Sequence, residues 1–215
     1  MSVASPEGVI RFCVECEATM ACDAFEIEDL EAWRVELLRR GLIGQAAGRY
    51  GGLGFGNLSK RLDHGTFLIS GSQTGHLRGL TPAEYARIID FSPERNWVRS
   101  VGLTKPSSEA LTHLAIYQSL PAAQYVFHAH SPEIWNRRHE LNIPSTHPKA
   151  EGGTVAMFYE VAMLLQDHAV SQRGILAMGG HEDGIVTWGQ TANQAGTVLL
   201  QFLATDRKTP SPTAA

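Results

Sequence analysis

Residues 124–130 read Gln-Tyr-Val-Phe-His-Ala-His, with Pro121 before them and Pro132 after. Aromatic and β-branched residues between two prolines predict a strand. Alternate strand residues share a face, so His128 and His130 project side by side from one surface of a sheet. Any fold for this chain must therefore accommodate two neighbouring imidazoles at a strand end.

At 215 residues, 43% of them hydrophobic and 19% charged, the chain can bury the core of one α/β domain. Residues 9–16 read as a short strand or extended arm. Residues 26–40 read as an amphipathic helix: Ile27, Leu30, Trp33, Leu37 and Leu38 fall near one face, acids lead, and Gly41 can cap. The glycine-rich stretch 48–59 cannot be a regular helix. Residues 61–70 read as a hairpin turning at Asp63-His64-Gly65. Thr81-Pro82-x-Glu84 carries a helix-start signature and predicts a short helical segment. Further helices are expected over 106–119, 158–165 and 192–205. A buried strand over 174–178 pairs with 184–188. The Pro/Ser/Thr-rich residues 208–215 are expected to be disordered. Without repeats or a linker, residues 1–207 read as one domain.

The formal net charge is −4, and no basic run is present, which argues against a nucleic-acid partner. No apolar stretch approaches the length of a membrane span. Residues 1–8 lack the basic start and apolar core of a secretory signal. A cytoplasmic chain is the expectation, with Cys13, Cys16 and Cys22 as reduced thiols. The Cys13-x-x-Cys16 spacing has no second pair or neighbouring histidine to complete a metal site.

Two histidines alone make a weak metal site; a catalytic zinc centre wants three protein ligands and an open position. The third is sought in His181, in a turn after the buried strand, or in Glu109. Imidazole-rich ligation favours zinc, with manganese or cobalt as alternatives. Other His-x-His chemistries fit less well. The hydrolase pattern His-x-His-x-Asp-His fails because Ser131-Pro132 follows, a cupin would carry its glutamate later than Glu133, and an amidohydrolase barrel needs a longer chain. His64 and His76 fall in turns, and His139 and His168 on the surface. His113, one helical turn after Glu109, reads as core or as support behind the site.

Three separate segments offer small hydroxyls and open backbone amides: Gly56-Asn57-Leu58-Ser59, Ser70-Gly71-Ser72 and Ser107-Ser108-Glu109. The last opens a helix, whose free N–H groups favour an anion. Each alone is an ordinary turn or cap; together, beside His-x-His, they outline an anion pocket.

In this order, Gly56-Asn57-x-Ser59, Ser70-Gly71, Pro106-Ser107-Ser108-Glu109 with His113 and Tyr117, His128-x-His130, Ile143-Pro144 and His181 resemble the class II aldolase/adducin family. The resemblance implies an α/β/α fold with a mainly antiparallel central sheet. It implies that His128, His130 and His181 hold a divalent metal, that Glu109 is the acid/base, and that Asn57, Ser70, Gly71, Ser107 and Ser108 bind a substrate phosphate. It also implies a homotetramer with active sites at subunit interfaces. The chain departs from the family's aldolases in lacking their tyrosine after Ile143-Pro144 and any tyrosine beyond Tyr159, and in carrying Glu182-Asp183 before Gly184. His147 or Glu151 is the expected replacement for the missing general acid. The reading is a metal-dependent lyase that cleaves a small ketose phosphate through an enolate. Epimerase, dehydratase and decarboxylase are its rivals on the same scaffold, and a non-catalytic adducin-like assembly module is the rival of another class.

Overall fold

The structure is a computed structural model that describes residues 8–204. The tail expected at 208–215 lies outside them. The strand with the paired histidines is β8 (Tyr125–His130), and it sits inside the sheet. Its alternation defines two faces. Val126 packs into one apolar layer, Phe127 and Ala129 into the other, and His128 and His130 fall on the side of Val126. Fully buried Phe127 contributes about 2–3 kcal/mol of transfer free energy.

From the N-terminus, β1 (Cys13–Glu17) lies at one edge and α1 (Glu28–Arg39) follows. A small ribbon of β2 (Gly44–Gln45) and β3 (Gly54–Phe55) leads into β4 (Asn57–Arg61) and β5 (Phe67–Ser70). Next come β6 (Tyr85–Ser92), β7 (Trp97–Gly102) and α2 (Ala110–Ser119), then β8 and α3 (Pro132–Asn136). The described residues end with α4 (Val155–Leu164), α5 (His168–Arg173), β9 (Ile175–Ala177), β10 (Gly184–Gly189) and α6 (Ala192–Ala204). The eight-stranded sheet runs β1-β7-β6-β5-β4-β8-β10-β9. Every neighbour pairs antiparallel except β1, which runs parallel to β7.

Helices cover both faces. On one, Leu111, Leu114 and Ala115 of α2 and Met157 and Val161 of α4 close over Phe67, Val126 and Val186. On the other, Leu30 and Leu37 of α1 and Ala195 and Leu199 of α6 close over Leu58, Phe127 and Ile185. This is an α/β/α sandwich with a mainly antiparallel sheet. Arg34 of α1 is buried; its guanidinium donates to the carbonyls of Thr74, Leu77 and Arg78 and pins the loop 74–78 to the helix. Arg61 donates to the carbonyls of Tyr117, Leu120 and Ala123, which closes the C-terminus of α2. Among the described residues, no helix is long and apolar enough to cross a membrane.

Most elements fall where the sequence places them, with one marked correction. The capping box at Thr81 and Glu84 forms, yet the helical segment is a single 3-10 turn, Pro82–Glu84. Tyr85, Ala86 and Ile88 are buried instead in β6, which pairs with β5 and β7. Burial in the sheet outweighs the local preference to continue a helix. The segment 9–16, read as a short strand or extended arm, supplies most of the edge strand β1 from Cys13 onward, and Cys13 and Cys16 are exposed free thiols on it.

Candidate metal centre and anion pocket

Pairing registers bring the site together. His128 lies opposite Asn57 of β4 on one side and Val186 of β10 on the other, and His130 lies opposite Gly184. The turn between β9 and β10 carries His181, whose amide donates to Met178 O and whose carbonyl accepts from Gly184. The turn is therefore folded back toward β8. Gly180 bridges Glu151, so residues 151–152 come up beside His181. Glu109 stands immediately before α2, its side chain making no cap bond, and is 2% exposed.

The three histidines converge. Their ligand atoms all lie within 4.8 Å of one another, and His128 Nε2 and His130 Nε2 are 3.1 Å apart. Zinc–nitrogen bonds of ~2.1 Å would set tetrahedral ligand nitrogens about 3.4 Å apart, close to the spacing of the His128–His130 pair. Two lone pairs this close repel unless a proton or a cation sits between them. His128 Nδ1 lies 3.2 Å from Ile185 O; donation there fixes the ring and turns Nε2 toward the cluster. Burial holds His128 down to about 3 and His130 well below its ordinary value, which keeps both imidazoles neutral, as metal ligands must be. Glu109 Oε1 stands 3.9 Å from His181 Nε2, while Thr112 Oγ1 donates to Glu109 Oε2 at 2.6 Å. The donor set, with His128 and His130 held neutral, fits a borderline divalent cation.

The cavity at the expected anion site lies next to the cluster through Asn57, which stands opposite His128. A narrow cavity is lined by Gly56, Asn57, Gly71, Ser107, Ser108 and the turn 72–75. A bridge between Gly71 and Pro106, with Ser72 N donating to Lys105 O, joins two of the segments proposed from sequence. Gly56 has φ +75°, and an added Cβ would meet Ile43 at 2.4 Å, so only glycine fits there. Ser70 does not line the cavity: its hydroxyl accepts from Leu58 N at 3.2 Å and supports β4 from behind. Asn57 Oδ1 is buried without a hydrogen-bond partner among the described residues.

The two expected replacements for the general acid separate. His147 is exposed, and its Nδ1 accepts from Lys149 N. Glu151 pairs with Arg11 in the strap that precedes β1. His113 is buried, its Nδ1 2.7 Å from Ser59 Oγ, which also meets Tyr117 OH. That places it as support behind β4.

Sequence reasoning missed Tyr50, whose ring meets the His130 ring edge-on at 4.5 Å. It also missed Gly152, where a Cβ would stand 2.5 Å from His181 Nδ1 and 2.7 Å from Glu109 Oε1. The glycine pair 152–153 was the only available signal for the latter; nothing local marks Tyr50.

The sequence profile of the family described as Class II Aldolase and Adducin N-terminal domain matches residues 46–203, and the chain belongs to this family. Over 78 residues, 36% of this chain, it is 38% identical to 3-oxo-tetronate 4-phosphate decarboxylase of Haemophilus influenzae. Over 79 residues, again 36% of the chain, it is 39% identical to methylthioribulose-1-phosphate dehydratase of Methylococcus capsulatus. The match spans about a third of the length of these curated relatives, 34% in each case. Among solved structures, YgbL of Escherichia coli superposes with a TM-score of 0.63 at 19% identity, covering 86% of this chain and 87% of that one. L-fuculose-1-phosphate aldolase of Thermus thermophilus superposes with a TM-score of 0.52 at 21% identity, covering 85% and 96%. At these identities the structural likeness is one of fold. The proteins similar to this chain bear the names of an aldolase, a decarboxylase and a dehydratase, so membership sets the class and leaves the reaction open.

Proposed function

We propose that the protein is a class II aldolase-like lyase that cleaves a small ketose phosphate by a retro-aldol reaction through an enolate. One observation carries this reading: the imidazoles of His128, His130 and His181 converge beside the carboxylate of Glu109 and a narrow cavity, with Asn57 at the join. His128, His130 and His181 would hold a divalent cation, zinc first and manganese or cobalt as alternatives. Such a cation supplies Lewis-acid stabilisation of the negative charge that develops as the C–C bond breaks. Glu109 moves the proton of the substrate hydroxyl; Thr112 holds Oε2, which leaves Oε1 on the His181 side. Asn57, Gly71, Ser107 and Ser108 take the phosphate, and Ser70 keeps β4 in place for them. Remote phosphate binding thereby becomes orientation of the reacting carbons.

The complete set of metal donors with Glu109 favours an enzyme over an adducin-like assembly module, which would need neither. A cytoplasmic homotetramer acting as one domain over residues 1–207 completes the proposal.

A second reading keeps the same site and enolate but reaches it by decarboxylation or dehydration. It is favoured by the two relatives matched at 38% and 39% identity, which carry those names. The test is to load the protein with zinc, manganese or cobalt and offer fuculose, rhamnulose and ribulose phosphates, 3-oxo-tetronate 4-phosphate and methylthioribulose 1-phosphate. Release of dihydroxyacetone phosphate supports the lyase, while carbon dioxide or a dehydrated product selects the second reading. Less than about a tenth of an equivalent of bound metal, with no activity on adding it, would leave the assembly module standing.

A further inference from the structure

The glycine-rich stretch places Arg49 and Tyr50 against the metal cluster from a side that the catalytic scheme does not use. Tyr50 adopts φ +48°, uncommon for a residue with a side chain and typical of functionally constrained backbone. Its ring packs edge-on against His130, with centroids 4.5 Å apart. Its hydroxyl donates to Asp183 Oδ2 at 2.7 Å and accepts from Arg49 Nη2 at 2.8 Å. Asp183 lies in the turn that carries His181, is nearly buried and itself has φ +63°. Its carbonyl accepts from Ser131 N, directly after β8. Arg49 also donates to Gly41 O and lies 4.3 Å from the centre of the Phe55 ring, so the whole group is tied down.

One side chain thus contacts a strand histidine with its ring and the turn of a second histidine with its hydroxyl. The acidic pair before Gly184, a departure from the family pattern, finds a use in Asp183. We propose that Tyr50 is a positioning residue for the metal centre, latched through Asp183 and Arg49, which fixes His130 and the His181 turn relative to each other. This rests on the metal reading of the three histidines. Outer partners that orient ligands commonly change metal affinity by about 10–100-fold when removed.

The experiment uses the full chain, with Co2+ as the probe. Metal-free wild type, Tyr50→Phe, Asp183→Ala and the double variant are titrated with Co2+, following affinity by competition with a chelator and geometry by the visible d–d absorption. Each single variant is expected to lose about 10-fold in affinity and to show an altered absorption band. The double variant should be no worse than the poorer single one, because both changes break one latch. Thermal unfolding of the metal-free proteins should be nearly unchanged for Tyr50→Phe, which keeps the ring; if that variant does not fold, Asp183→Ala carries the same test. Wild-type affinity and spectrum in the singles, or fully additive losses in the double, would overturn the latch and leave the metal reading intact. Failure of the wild type itself to bind Co2+ would instead remove both.

Discussion

Gly152 and His181 leave no space between them: a Cβ on Gly152 would lie 2.5 Å from the Nδ1 of His181, and the next nearest atom would be Glu109 Oε1 at 2.7 Å. Both are side-chain atoms of the site rather than backbone, so an added methyl group would displace functional groups while the fold gives way little. Gly152→Ala is expected to cost about 1–3 kcal/mol in stability at most. Its effect on turnover should be larger, on the order of 100-fold, the penalty for misplacing reacting groups by about an ångström. Steady-state kinetics beside urea unfolding would check this. A stability loss large enough to account for the activity loss would contradict the argument.

Glu109 is held by Thr112 on one oxygen and faces His181 with the other. Glu109→Gln keeps the volume and the acceptor for Thr112 but removes the base. Turnover should fall about 10²–10⁴-fold while bound metal stays close to the wild-type level. Loss of metal in proportion to activity would make Glu109 a ligand instead.

How far this was legible in the sequence differs from residue to residue. The pair His128 and His130 could be read because strand periodicity is local and two prolines mark the strand's limits. Glu109 could be placed near a helix start because of the serines before it, although the helix read over 106–119 begins only at Ala110 and its role came from the family resemblance. The hairpin of β6 and β7 was hidden behind a genuine cap at Thr81, whose local signal stops after one turn while the sheet claims the following residues. Tyr50 and Asp183 are 133 positions apart, and neither has a local pattern that announces the other. Ser70 has the residue type of a phosphate ligand, and what the sequence does not show is that its hydroxyl accepts from Leu58 N, a pairing that only the β4–β5 geometry decides.

The anion pocket can be tested without touching the metal. Ser108 lines the cavity and is buried. A hydroxyl donating to a charged phosphate contributes roughly 1.5–3 kcal/mol, so Ser108→Ala should raise KM for a phosphorylated substrate about 10–100-fold. Metal content should be unchanged and kcat little affected. The decisive comparison is an unphosphorylated analogue: equal losses with both substrates would show that Ser108 does not meet the phosphate.

His113 makes an acid-stability prediction. Complete burial holds it down to about 3, while Ser59 Oγ meets its Nδ1 and its Nε2 is buried without a partner among the described residues. Unfolding returns the ring to its ordinary value near 6.5, so below that pH the unfolded chain takes up a proton that the folded chain refuses. The stability His113 contributes is therefore whole above about pH 6.5 and is lost as pH falls toward 3, by about 1.4 kcal/mol per pH unit over that window. His128 and His130 are held down by the same burial, so only a difference between proteins isolates His113. Urea unfolding of metal-stripped wild type and His113→Gln from about pH 7 to about pH 4.5 supplies it. The variant should be less stable at about pH 7, with a pH slope shallower than the wild type's by about 1.4 kcal/mol per pH unit. Parallel slopes would mean that the ring gains a proton in the folded protein, and that water or an alternative rotamer reaches Nε2 after all.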